Sequence, residues 1–135
     1  MAKFILSLLL FIIGLHYNLY AQLTTPLEVV QKQLETYNDR DIDGFMALFS
    51  DDVKLYNQTD HELLAQDKIK VRKMYTHLFD ESPQLRSELT NRMVLGNTVI
   101  DHEYITGRMG NPDPIELIVI YELKDLKIVK VTVIR

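Results

Sequence analysis

The side chains best suited to proton transfer in this 135-residue chain sit in one stretch, Ile100-Asp101-His102-Glu103-Tyr104. An imidazole titrates near neutral pH, and a carboxylate that orients it makes it a general acid or base. Successive side chains on a strand alternate faces, so Ile100, His102, Tyr104 and Thr106 share one face and Asp101 and Glu103 the other. With the Ile100 face inward, His102 and Tyr104 point into the domain and the two acids point to solvent. An antiparallel neighbour that pairs Ile118 with His102 turns Ile118 and Ile120 inward and sets Glu116 beside Tyr104, diagonal to His102. His102 is therefore the candidate catalytic residue. The alternative is a structural histidine hydrogen-bonded to Tyr104.

Other groups fall into place around this pair. Tyr37, Tyr56 and Tyr75 are candidates to line a pocket, or to sit in the core with the hydroxyl reaching a partner. Asn57 is a candidate hydrogen-bond donor. Asp60-His61-Glu62 repeats the tripeptide Asp101-His102-Glu103, but alternation sends a strand histidine and its flanking acids to opposite faces, so neither tripeptide chelates alone. No metal site is expected, and 60–62 reads as an exposed charged loop. Asn57-Gln58-Thr59 fits the N-glycosylation pattern. His77 lies among charged neighbours and is expected to face solvent. No Ser-His-Asp arrangement or Gly-rich phosphate loop can be argued from spacing, and no cofactor is implied. The absence of cysteine removes thiol nucleophiles, disulfides and thiolate metal sites.

A net charge of -4 leaves no basic surplus to neutralise phosphates, which argues against nucleic acid as a partner. The 47% apolar content is front-loaded: 16 of the first 21 residues are apolar. Met1-Ala2-Lys3 carries one positive charge, Phe4 to Leu15 is almost wholly apolar, and Ala21 is a small residue at a cleavable position. About 20 apolar residues are needed to span a bilayer, so this run is too short for a membrane anchor. Residues 1–21 are expected to be a signal peptide cut before Gln22, with export to the periplasm or the exterior. Residues 22–135 are expected to form one domain.

Helical spacing comes first in that domain. Thr25-Pro26-Leu27-Glu28 has the form of a capping box, and Leu27, Val30, Leu34 and Tyr37 then mark one helix face, ending near Asn38-Asp39. Asp41 can cap a short second helix carrying Ile42, Phe45, Met46, Leu48 and Phe49. Residues 53–56 read as a short strand, and a third helix is expected over 67–79. From Leu85 onward the period becomes two, which predicts strands at 85–95, 98–107, 115–124 and 127–134. Gly96-Asn97 supplies a tight turn. Leu126, in the last turn, is an awkward residue for a conformation with positive φ. Helices followed by a meander of strands indicate an α+β domain.

Val29-Val30-Gln31, the run Tyr37 to Val53, then Arg72, Tyr75, Leu78, Phe79 and Val99 to Glu103 resemble the nuclear transport factor 2-like superfamily, which includes SnoaL-like cyclases and ketosteroid isomerases. The resemblance extends from Pro26 to Ile134. It implies a cone-shaped fold in which three N-terminal helices pack on a curved, mainly antiparallel sheet around a pocket. It also implies a homodimer formed through the outer sheet face, and it favours the inward phase for His102. Isomerases of this group use a carboxylate base, a tyrosine and a protonated aspartate. The corresponding positions here hold Asn57, Gln33 and, near the third, Ile120, so that mechanism is not expected. The function that follows is an exported domain with a pocket for a small apolar ligand, formed by Gln33, Tyr37, Asn57, Tyr75, Tyr104, Ile118 and Ile120. The alternative is an isomerase-, cyclase- or hydratase-like enzyme using His102.

Overall fold

Thr25 opens the first helix by accepting from the Glu28 backbone N–H, while the Glu28 carboxylate accepts from the Thr25 backbone N–H, the reciprocal cap that the sequence suggests. The computed structural model describes residues 22–135, so the expected leader lies outside the described residues. Helix α1 spans Pro26–Asp39 and buries Val29, Val30, Gln33, Leu34, Thr36 and Tyr37, whereas Leu27 is exposed. Arg40 ends it in a left-handed conformation, and Asp41 caps α2, Ile42–Met46. Leu48 and Phe49 are buried but not helical, because the chain is already extending into β1, Phe49–Asn57. That strand is longer than the sequence suggests.

Strand β2, Glu62–Gln66, returns antiparallel to β1 through a turn holding Asp60 and His61. It was not legible beforehand, since only Ala65 of its five residues is buried. Helix α3, Lys68–Asp80, is capped by the Asp67 side chain and follows these two strands, so two helices rather than three precede the sheet. Four long strands follow: β3, Arg86–Leu95; β4, Thr98–Thr106; β5, Ile115–Lys124; and β6, Lys127–Ile134. The sheet order is β2-β1-β6-β5-β4-β3, antiparallel except for β1 beside β6. Register shifts in β1, β3 and at the β5–β6 pairing mark bulges, which bend strands.

The last hairpin resolves the Leu126 difficulty. Asp125 and Leu126 both take positive φ, 49° and 58°, as a two-residue turn of this hand requires. Leu126 packs against the core, so apolar burial offsets the backbone cost. The core lies between the helices and one sheet face. Its centre is a cluster of Tyr37, Phe45, Phe49, Tyr75 and Phe79, with neighbouring ring centroids 4.5–6.4 Å apart. No helix among the described residues is long and apolar enough to cross a membrane.

Candidate functional site

Strand β4 turns its acids inward. Val99, Asp101, Glu103 and Ile105 are buried, whereas Ile100 and His102 are half-buried on the opposite face and Tyr104 is exposed there. The expected register is observed, with His102 opposite Ile118 and Tyr104 opposite Glu116. The expected phase is reversed. Leu117, Val119 and Tyr121 therefore face the helices, and Ile118 and Ile120 lie on the outer face. The physical reason is that both faces of β4 and β5 are apolar, so alternation fixes parity but not side. His102 Nε2 does meet Glu116 Oε1, at 2.7 Å, but on the outer face.

Inside, the two acids have different partners. Asp101 has no exposed surface, and Arg92 holds it with two bonds of 2.6 Å, from Nε to Oδ1 and from Nη2 to Oδ2. The third guanidinium nitrogen donates to Gln31 Oε1 at 2.8 Å, tying β3 to α1. This carboxylate holds the Arg92 guanidinium above its ordinary pKa. Among the described residues Glu103 thus has no cation of its own. Ser87 Oγ donates to its Oε2 at 2.7 Å, and the Tyr121 hydroxyl lies 3.3 Å from its Oε1. Asn38 fixes Ser87 from α1, accepting from its N–H at 2.7 Å and donating to its carbonyl at 2.9 Å.

Burial pushes the Glu103 carboxyl above its ordinary value; the neighbouring Asp101 adds to this, and the bonds from Ser87 and Tyr121 oppose it. Tyr121 has one hydroxyl hydrogen, and both Glu103 Oε1 and Gln33 Oε1 lie 3.3 Å from its oxygen. With Glu103 protonated, Glu103 donates to Tyr121 and Tyr121 to Gln33; with the Gln33 amide turned over, its nitrogen donates to Tyr121 and Tyr121 to Glu103. At 3.3 Å these links are long for O–H···O bonds and readily exchanged.

This chain faces a cavity of about 180 Å³ between the sheet and helices α1 and α3. Its walls are chiefly Leu, Met, Val and the rings of Tyr37, Tyr75 and Tyr121, with His77, Arg108 and Arg135 also at its lining. Burial pushes the Tyr37 hydroxyl up to about 12, against the pull of Arg108, and raises Tyr75 and Tyr121 as well. Among the expected pocket residues, Gln33, Tyr37 and Tyr75 line this space. Asn57 does not: its Oδ1 accepts from the Thr59 N–H in a turn, within a shallow hollow shared with Tyr56 and His61. Glu103, Tyr121 and Arg108 were missed. One usable signal was the Gly96-Asn97 turn, from which counting outward sets Arg92 opposite Asp101.

Arg108 is positioned by backbone chemistry. Gly107 takes φ +68°, and a Cβ there would stand 2.2 Å from the Gln84 carbonyl oxygen. The next turn, Arg108–Gly110, is held where the Met109 N–H donates to the buried Ser82 Oγ at 2.8 Å. Gly107→Ala is expected to destabilise the domain by about 2 kcal/mol, since both the left-handed backbone and the backbone contact oppose a methyl group. Chemical denaturation measures this, and an unchanged midpoint would show that the turn relaxes without cost.

A family model for the SnoaL-like domain matches residues 30–131. The chain belongs to that family. No curated protein matches its sequence significantly. Similar solved structures include an uncharacterized cystatin-fold protein from Novosphingobium aromaticivorans, 23% identical over 83% of this chain and 99% of that one, with a TM-score of 0.76. Another is an NTF2-like protein of unknown function from Cytophaga hutchinsonii, 12% identical over 84% and 91% of the two chains, with a TM-score of 0.69. A third is a protein from Catenulispora acidiphila with a ketosteroid isomerase-like fold, in complex with trimethylamine. It is 14% identical over 82% and 85% of the two chains, with a TM-score of 0.66. At these identities the likeness is one of fold, which carries many chemistries. In this SnoaL-like domain Gln33, Tyr121 and Glu103 form the polar chain of the cavity, while Asn57 and Ile120 lie outside the lining. Among the described residues no cluster of three metal-ligating side chains occurs.

Proposed function

We propose that this SnoaL-like domain binds a small, largely apolar molecule in the inner cavity and holds one of its oxygens by hydrogen bonds from Glu103, Tyr121 and Gln33. The observation that carries this reading is a buried carboxyl that no cation pairs with among the described residues, facing a chiefly apolar space with two arginines at its lining. A neutral acid donating beside a tyrosine can stabilise negative charge developing on a carbonyl oxygen. If the domain is an enzyme, that is the contribution of Glu103, and His102 takes no part in the cavity. A cavity of about 180 Å³ suits a single six-membered ring, since about 150 Å³ accommodates benzene. Export is part of the proposal and rests on the charge, apolar run and small residue of positions 1–21.

The test uses cyclohex-2-enone as the probe and infrared spectroscopy of its carbonyl. Binding is expected to shift the carbonyl stretch to lower frequency, and Tyr121→Phe and Glu103→Gln are each expected to reduce that shift. No binding at millimolar probe, or the same shift in both variants, would overturn the reading. The pH dependence of stability gives a second handle on Glu103. Its native pKa lies above the ordinary 4.5, so the native state holds the proton more tightly than the unfolded chain. The stabilisation is complete below about 4.5 and is lost as pH rises through the raised native value. Glu103→Gln is expected to flatten that part of the stability–pH curve, read from melting temperatures between pH 4 and pH 8. Parallel curves for the two proteins would mean that Glu103 is ionised throughout.

We also propose that two copies pair through the outer sheet face. Met93, Tyr104 and Ile118 are exposed there, flanked by half-buried Ile100, Ile120 and Ile134. Polar groups around this band have partners within the chain, Glu116 with His102 at 2.7 Å and Lys130 with Glu122 at 2.8 Å. A self-complementary contact therefore buries apolar surface without stranding a charge. Sedimentation should show a dimer, and Ile118→Lys a monomer. A wild-type monomer at high micromolar concentration would exclude this pairing.

A further inference from the structure

We propose that the ligand of the inner cavity is a small organic acid: its apolar body fills the cavity, a carbonyl or hydroxyl oxygen meets the Glu103–Tyr121–Gln33 chain, and its carboxylate meets Arg108, with Arg135 beside it. This rests on the reading of the cavity given above and adds the chemical class of the ligand.

The charges around the cavity carry the inference. Its ionisable lining consists of Glu103, the two arginines, His77 and the buried tyrosines. The single carboxyl, Glu103, is buried, and burial pushes it above its ordinary pKa. Arg92, the other inward arginine, is fully committed to Asp101 and Gln31. Arg108 and Arg135, in contrast, have no carboxylate within 4.0 Å among the described residues, although the chain as a whole has a net charge of -4. Two unpaired guanidinium groups on an apolar cavity favour an anion, and the planar fork of arginine matches a carboxylate.

The backbone that carries Arg108 is held in place. Gly107 makes the turn that no Cβ could enter, and the Ser82 hydroxyl pins the following backbone. Its guanidinium lies close enough to the Tyr37 hydroxyl to pull against the effect of burial there. Glu103 acts on the same tyrosine. Glu103 and Arg108 both line the tyrosine-walled cavity, which offers an oxygen-binding group and a cation to one short molecule. The size of the cavity limits that molecule to about one ring or a short branched chain.

Three probes separate the possible results: 4-formylbenzoate, its neutral isostere 4-formylbenzamide, and the smaller benzaldehyde, each titrated by calorimetry at low and high salt. The acid is expected to bind about tenfold or more tighter than the amide, with a preference that shrinks at high salt. Arg108→Gln is expected to bring the acid-to-amide ratio close to one, and Arg108→Lys to restore part of it. A thermal melt of each variant establishes that it is folded, and Arg135→Gln provides a second route to the ratio. Equal binding of acid and amide by the wild-type protein, or a ratio unchanged in both glutamine variants, overturns the inference. If benzaldehyde binds while that ratio stays at one, only the acid assignment fails. If none of the three binds, the cavity reading fails and this inference fails with it.

Discussion

Arg92→Ala is expected to lower the stability of the domain by about 3–5 kcal/mol, the usual cost of removing one partner of a buried ion pair. Asp101 has no exposed surface, and both its oxygens accept from Arg92. Without the guanidinium the carboxylate would be charged and unpaired in the core, or would take up a proton. The loss would also free Gln31 on α1, so the helix and the β3–β4 hairpin lose a cross-tie. Urea denaturation reads the change. A double variant, Arg92→Met with Asp101→Leu, is expected to recover most of the lost stability, because the large cost lies in the stranded charge. If the single variant loses less than about 1 kcal/mol, water reaches Asp101 and the pair is a surface one.

Phe45→Ala is expected to cost a comparable amount, about 3–5 kcal/mol, through lost burial and the void left behind. The ring is fully buried, with its centroid 4.5 Å from Tyr75, 4.9 Å from Phe49, 5.7 Å from Phe79 and 6.2 Å from Tyr37. Two of these neighbours, Tyr37 and Tyr75, are walls of the cavity. The same substitution should therefore loosen the site as well as the core, and cyclohex-2-enone binding is expected to weaken along with the melting temperature. Phe45→Leu keeps most of the volume and should cost far less. Equal losses from the two substitutions would mean that ring packing, rather than volume, sets the stability of this cluster.

Much of the domain was legible in its residues. The reciprocal cap at Thr25 and Glu28, the Asp41 and Asp67 caps and the four long strands all follow from local chemistry, and the His102–Ile118 register follows from strand spacing. Gln33, Tyr37 and Tyr75 were reachable from helical position and resemblance. Strand β2 was not, because an edge strand with one buried residue has almost no apolar pattern to read. Helix α3 was expected after one short strand and follows two.

The sequence by itself determined the SnoaL-like family, the α+β class and the alternation that separates His102 and Tyr104 from Asp101 and Glu103. Only the tertiary structure decided which of those faces meets the helices. Local pattern could not, since Ile100, Ile118 and Ile120 make the outer face nearly as apolar as the inner face of Val99, Ile105, Leu117 and Val119. The choice rests on partners distant in sequence. Arg92, itself braced by Gln31, satisfies Asp101, while Ser87 and Tyr121 bond Glu103, so two acids can be buried at tolerable cost. Burial of a charged residue depends on what the fold brings to it, and that moved the candidate site from His102 to Glu103.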